Sequence, residues 1–343
     1  MLVRRQLAAA GAASLGARRG RNPPEGPPQL FNKTVRGIAD SLIGPTLSLG
    51  DAIQLPSPPP LTPLANNRFS RLIIYCCSMK LGLVCGPDSI RIAQKLKVDG
   101  VSINASDLVT EGGREKLSAL RAVELEPCQI AAYSFNPLLP DAAERSIQEQ
   151  MLAAAIPFVA ATGCRDLVIN GGNRHPSGYA GSHRDNFTEA ILDEIALKLE
   201  PWVAQCEAAG VNLTIEPHVQ CAINTPERFL QLKSRLCSKR LMVTLDLCNF
   251  LAFSELWNPA ARLLRICEQL HGHYESVHLK NLGAQPGTHI HVNEVPFLEG
   301  HVDWAPVLTA IRHSTPTAYL ILEKVKTEPE AEIGIAAIRR MIA

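Results

Sequence analysis

Four short apolar runs of the 343-residue chain each end in, or close beside, a side chain able to bind a metal: Leu213-Thr214-Ile215-Glu216, Val243-Thr244-Leu245-Asp246, Ser276-Val277-His278 and Leu320-Ile321-Leu322-Glu323. An ionised group at the end of an apolar strand is costly to bury without a compensating partner. Singly, each has a plain use: Asp246 can cap a turn, Glu323 can pair with a lysine, and His278 can sit hydrogen-bonded in a core. Their recurrence at equivalent positions points to one shared divalent cation. Three carboxylates and an imidazole form a mostly oxygen, hard-donor set that suits Mn²⁺, Mg²⁺ or Co²⁺ and also admits Zn²⁺. With such an ion the set carries a net charge of about −1, so a nearby ammonium would balance it. Lys280, two residues past His278, shares its strand face, whereas Lys324, adjacent to Glu323, is expected to face away.

Other polar residues surround these runs. His218 lies two residues beyond Glu216 and faces the same side, which makes it a candidate substrate contact or a hydrogen-bonded loop histidine. Asn249 follows Asp246-Leu247-Cys248 and can donate to and accept from hydroxyls, but it cannot relay a proton as an imidazole does. The loop Asn170-Gly171-Gly172-Asn173-Arg174-His175-Pro176 offers Arg174 and His175 to an anionic or hydroxylated ligand, or simply to solvent. His289 and His291 alternate, but an isolated HxH is weak evidence for a second metal. Met151 and Trp202 fall on helical faces and read as core packing.

Something must bring the four runs to one place. Strand-like segments at 81–85, 100–104, 129–134, 166–170, 212–216, 242–246, 276–279 and 319–323 alternate with amphipathic segments such as 186–209, 225–236 and 259–270. Thr225-Pro226 and Asp303-Trp304-Ala305-Pro306 supply a cap and a first-turn proline for two helices. Near-continuous apolar strands separated by helices indicate a parallel sheet covered on both faces. Eight such units within residues 79–343 fit an α/β fold of the (β/α)₈ TIM-barrel type, which runs to roughly 250 residues and gathers its strand ends at one mouth. An open doubly wound sheet is the rival. It lacks support because Gly82-Leu83-Val84-Cys85-Gly86-Pro87 has neither GxGxxG spacing nor an immediate helix start.

Residues 1–78 read differently. They hold ten of the 25 prolines, so they are expected to be a largely disordered extension to a barrel domain at 79–343. Residues 1–21 place Arg4, Arg5, Arg18, Arg19 and Arg21 among alanines, with no acid before Glu25. That is the composition of a mitochondrial or plastid transit peptide; an untargeted extension of a cytoplasmic protein, or an upstream stretch that is not translated, would look the same, and Met79-Lys80-Leu81-Gly82 itself reads as a barrel start. The formal net charge of +1 provides no surplus for nucleic acid or anionic membranes. No run reaches the roughly 18 apolar residues of a membrane-spanning helix. The ten cysteines, Cys76 and Cys77 included, show no CxxC spacing and read as reduced, mostly core thiols. A soluble intracellular protein with a small-molecule partner is expected, and association of like chains is left open.

Over essentially residues 79–343 the sequence resembles the xylose isomerase-like barrels of the sugar phosphate isomerase and epimerase superfamily. The resemblance rests on Ile215-Glu216-Pro217-His218 with Asn224-Thr225-Pro226-Glu227, then Leu245-Asp246, Val277-His278-Leu279-Lys280, Glu299-Gly300-His301-Val302-Asp303 and Leu322-Glu323. It implies that Glu216, Asp246, His278 and Glu323 bind one divalent metal. It also implies that Glu216 and Glu323 act as acid and base, moving a proton beside a carbonyl through a metal-stabilised enediolate of a small sugar or keto-polyol. His218, Asn249, Lys280, Arg174 and His175 are then the substrate-contact candidates. Many members carry D-x-x-H where this chain has Asp246-Leu247-Cys248-Asn249, a departure that bears on substrate identity.

Three other functions fit the same residues. A metal-dependent lyase or dehydratase of a hydroxylated keto acid would share the intermediate and differ in what leaves. An endonuclease IV-like hydrolase would need further histidines, which residues 101–106 and 131–136 lack. A non-catalytic barrel would keep the fold without the metal.

Overall fold

The computed structural model describes residues 79–343 apart from Cys85. The expected extension at 1–78, its targeting role, and Cys76 and Cys77 therefore lie outside the described residues. In chain order the elements begin with β1 (Lys80–Leu83), α1 (Ser89–Leu96), β2 (Gly100–Asn104), α2 (Ala105–Leu108), α3 (Glu111–Ala122), β3 (Glu126–Ala132), α4 (Ala142–Thr162) and β4 (Asp166–Asn170). They continue with α5 (Ala190–Ala209), β5 (Asn212–Glu216), α6 (Pro226–Leu236), β6 (Leu241–Val243), β7 (Leu245–Asp246), α7 (Ala260–Gln269) and β8 (Ser276–Leu279). The last elements are β9 (Asn281–Gln285), β10 (His291–Val295), α8 (Trp304–Ser314), β11 (Tyr319–Leu322) and α9 (Glu328–Ile342).

All pairings in the main sheet are parallel, in the order β6-β5-β4-β3-β2-β1-β11-β8-β7. β6 and β7 are one strand interrupted at Thr244, whose N–H still donates to Ile215 O at 2.9 Å. β6 pairs with β5 and β7 with β8, so the ring closes as eight staves. This is the (β/α)₈ TIM barrel. β4 and β5 are buried at every position, as strands between a filled lumen and an outer helical layer must be.

Helix boundaries follow local chemistry. Thr225 Oγ1 accepts from Arg228 N and Asp303 Oδ1 from Ala305 N, capping α6 and α8. The segment expected to be helical from 186 starts only at Ala190. Residues Arg184–Phe187 make a 3₁₀ turn and Thr188 is extended, held by Arg228 donating to Asn186 O and Thr188 O. The third strand begins at Glu126, earlier than its apolar run, because pairing with Gly100 extends the ladder through Glu126-Pro127. Six of the described cysteines are buried free thiols, whereas Cys237 is exposed at the left-handed C-cap of α6 and is no core residue. Among the described residues no helix is long and apolar enough to cross a membrane.

Gly100 marks a close approach, since a Cβ there would lie 2.5 Å from both Glu126 O and Tyr319 Oη. Gly100→Ala is expected to cost about 1–3 kcal/mol of stability, because a backbone oxygen cannot move aside as a flexible side chain can. Urea unfolding of the variant checks this, and an unchanged midpoint would contradict it.

Candidate metal centre

Each putting of a side chain into the mouth is a matter of register. Asp246 pairs with His278 across β7 and β8, and His278 with Ile321 across β8 and β11. Glu216 ends β5, and Glu323 follows β11 with its N–H still donating to Leu279 O at 3.1 Å. One ligand-capable atom from each of Glu216, Asp246, His278 and Glu323 falls within 4.8 Å of every other. His278 Nδ1 lies 3.3 Å from Glu216 Oε1, 3.7 Å from Asp246 Oδ2 and 3.6 Å from Glu323 Oε2.

Imidazole orientation decides what this cluster can hold. His278 Nε2 is 2.8 Å from Gln129 Oε1, while Gln129 Nε2 donates to Ser102 Oγ and Tyr133 Oη. The amide oxygen of Gln129 therefore accepts from Nε2–H, and the other nitrogen faces the carboxylates. That Nδ1 is fully buried without a hydrogen-bond partner. An unprotonated Nδ1 turned toward three carboxylate oxygens requires a cation between them, and the donor set could hold a divalent metal ion. Without a metal the cation is a proton. Burial alone would lower the His278 pKa, but Glu323, Asp246 and Glu216 push it up to about 10.

Lys280 completes the charge balance. Its Nζ is 2.6 Å from Asp246 Oδ2, 2.8 Å from Glu323 Oε1 and 3.1 Å from Glu294 Oε1, with only 2% of the side chain exposed. Against the effect of burial, Lys280 and His278 hold the Asp246 carboxyl well below the usual range. Burial pushes the Glu323 carboxyl up, against the pull of Lys280 and His278.

Above this floor opens a pocket of about 630 Å³. Glu216 and Glu323 reach its wall, whereas Asp246 and His278 lie beneath. His218, Asn249 and Lys280 line it as well. His218 is tilted against Tyr179 at 5.5 Å, and burial lowers its pKa. Asn249 N–H donates to Asp246 Oδ1 at 3.3 Å. Arg174 and His175 are not among the lining residues: the Arg174 guanidinium pairs with Glu194, and the His175 ring packs against Gly181. Lys324 does line the pocket, contrary to the alternation rule. The strand ends at Leu322 and residue 324 is left-handed (φ 58°), so its ammonium swings to Glu294 Oε2 at 3.0 Å. His289 and His291 are exposed and outside the cluster.

A family model described as xylose isomerase-like TIM barrel matches residues 90–341. The chain belongs to the xylose isomerase-like TIM barrel family. Solved structures agree on the fold at low identity. A 3-keto-D-glucoside 4-epimerase from E. coli superposes with a TM-score of 0.59 at 15% identity over 77% of this chain and 100% of its own. A probable 3-DHS dehydratase from Bacillus anthracis gives 0.58 at 16% over 76% and 99%. A xylose isomerase-like barrel protein from Mycobacterium smegmatis, in complex with magnesium, gives 0.56 at 12% over 74% and 87%. No curated protein matches by sequence.

Four further residues of this xylose isomerase-like barrel shape the site without a signal in the apolar-run pattern. Gln129 aims His278, and Tyr179 Oη lies 3.3 Å from Glu216 Oε2. Tyr133 fixes the Gln129 amide. Glu294 arrives on β10, part of an antiparallel β9–β10 hairpin inserted after β8. In sequence the hairpin is a largely polar stretch, and no local pattern in it specifies the pairing of its two strands.

Proposed function

We propose that this barrel is a divalent-metal-dependent isomerase or epimerase of a small sugar or keto-polyol. The observation that carries the proposal is the orphaned, buried Nδ1 of His278 among three carboxylates, of which only the two glutamates reach the pocket. Membership of the family and the epimerase among the structures sharing the fold support the same reading.

Glu216, Asp246, His278 and Glu323 would hold the cation. When bound, it supplies Lewis-acid polarisation of a carbonyl oxygen and its neighbouring hydroxyl, which lowers the cost of an enediolate. Glu216 and Glu323 approach from β5 and β11, strands separated in the ring by β6/β7 and β8. One glutamate removes the proton beside the carbonyl, and the other delivers a proton on the far side. The upward push on Glu323 suits a group that must pick up a proton, while Tyr179 Oη steadies Glu216.

Incubating Mg²⁺- or Mn²⁺-supplemented protein in D₂O with a panel of keto-sugars tests the assignment. Deuterium is expected at the carbon beside the carbonyl of at least one sugar, read by NMR or mass spectrometry. No incorporation into any of them, in protein that retains metal, would count against it.

Metal loading must also displace the His278 proton. Because that group titrates at about 10 in the metal-free site, the imidazole is charged at neutral pH and Nδ1 is blocked. Loading is then expected to expel about one proton, and affinity to rise with pH up to that range. The same shift means that the His278 contribution to metal-free stability is fully present below about 6.5 and is lost as the pH climbs through about 10. Titration calorimetry in buffers of different ionisation enthalpy reads the proton count; an apparent enthalpy independent of buffer would contradict the expectation.

A further inference from the structure

Charge and shape in the pocket restrict the substrate beyond its reaction class, resting on the metal-dependent reading above. Lys280 and Lys324 are the lysines among the lining residues, and no arginine joins them. Both ammonium groups are already engaged, Lys280 by Asp246, Glu323 and Glu294, and Lys324 by Glu294. Four carboxylates against two ammonium groups leave two negative charges, which one divalent cation cancels. A phosphorylated or carboxylated ligand would find no spare positive charge and would meet Glu216, Glu294 and Glu323 at the wall.

The rest of the pocket lining has a different chemistry. Leu251, Phe253 and Leu256 from the connection after β7, Val292 on β10 and Val219 after β5 all line it. Phe253 is 51% exposed, and its ring meets Trp257 edge-on at 6.1 Å, which in turn packs on His301 at 5.1 Å. Phe253 thus lines the pocket with its ring braced by Trp257. A volume of about 630 Å³ lies within the range of pockets that hold drug-sized ligands and exceeds what one sugar ring fills. The same pocket is lined by the glutamates and by these apolar side chains, so one ligand can meet both.

We propose that the pocket takes an uncharged glycoside, its sugar ring on the carboxylate floor and an apolar aglycone against Phe253, Leu251, Val219 and Val292, in preference to a phosphorylated or carboxylated sugar. Burying an aryl group there at ordinary apolar transfer values corresponds to about tenfold or more in affinity.

Binding to the full chain in Mg²⁺, followed by saturation-transfer NMR and calorimetry, tests this with phenyl β-D-glucoside, methyl β-D-glucoside and glucose 6-phosphate. Expected is a phenyl glucoside about tenfold tighter than the methyl glucoside, with strongest saturation on its ring protons, and glucose 6-phosphate weakest. F253S should bring the phenyl compound to the level of the methyl one, and V292S should narrow the same gap. Equal affinities for phenyl and methyl glucosides, an unchanged gap in F253S, tightest binding of the phosphate, or binding of none of the three would each overturn the proposal. The readout is affinity, so it is distinct from the isomerase assignment. A pocket that ranks the ligands as expected but never exchanges a substrate proton would retain this inference and lose the reaction.

Discussion

Glutamine in place of Glu323, or of Glu216, is expected to lower turnover by about 10²–10⁴-fold while metal content stays near that of the parent. The substitution keeps side-chain length and one carbonyl oxygen, so a ligand atom survives where the proton-accepting oxygen does not. Reaction on two faces of a planar intermediate needs two such groups, so either change alone should suffice. Burial places both carboxylates where water cannot readily substitute for them. The check is kcat for each variant alongside metal analysis of the same sample. Full activity in both variants with metal bound would remove the glutamates from the proton path. Loss of activity together with metal would show a ligand defect instead.

How far the site could be read from the sequence follows from the range of the interactions that build it. The four strand-end residues were legible because an ionisable group after an apolar run is a local anomaly, visible within four residues. Fold class was legible for a related reason: eight buried strands alternating with amphipathic helices leave a repeating imprint, and 100–104, 166–170, 212–216 and 276–279 coincide with strands in full. Strand 242–246 is broken because the Asp246 N–H turns to Thr244 O at 2.8 Å, a detail of the barrel mouth. Lys324 was misplaced because period-two alternation holds only while the backbone is extended, and the chain turns left-handed there. Gln129 and Glu294 were missed because each acts through a partner far away in sequence: Gln129 on His278, and Glu294 on Lys280 across a hairpin. Arg174 looked available in a polar loop. Its contact is with Glu194 on the following helix, twenty residues on, which spacing alone does not reveal.

Replacing Lys280 by methionine should produce the largest loss of stability of any single change in the mouth, and one that depends on metal. Methionine approximates the lysine stem, so the cavity is small and the effect is electrostatic. Removing the ammonium leaves Asp246, Glu323 and Glu294 without their shared partner, and Asp246 and Glu323 are buried. Breaking a buried pair in this way costs about 3–5 kcal/mol, because the surviving charge has nowhere to be solvated. Lys324→Met is the control: that side chain is 46% exposed and pairs with Glu294 alone, so its loss should fall within about 1 kcal/mol. A divalent cation in the floor would compensate the same carboxylates, and binding to the folded state stabilises it by mass action. Added Mg²⁺ or Mn²⁺ should therefore raise the unfolding midpoint of K280M more than that of K324M, with chelator reversing the gain. Equal destabilisation of the two variants, or a K280M midpoint indifferent to both metal and chelator, would mean that the ammonium and the cation do not share the work of neutralising the barrel mouth.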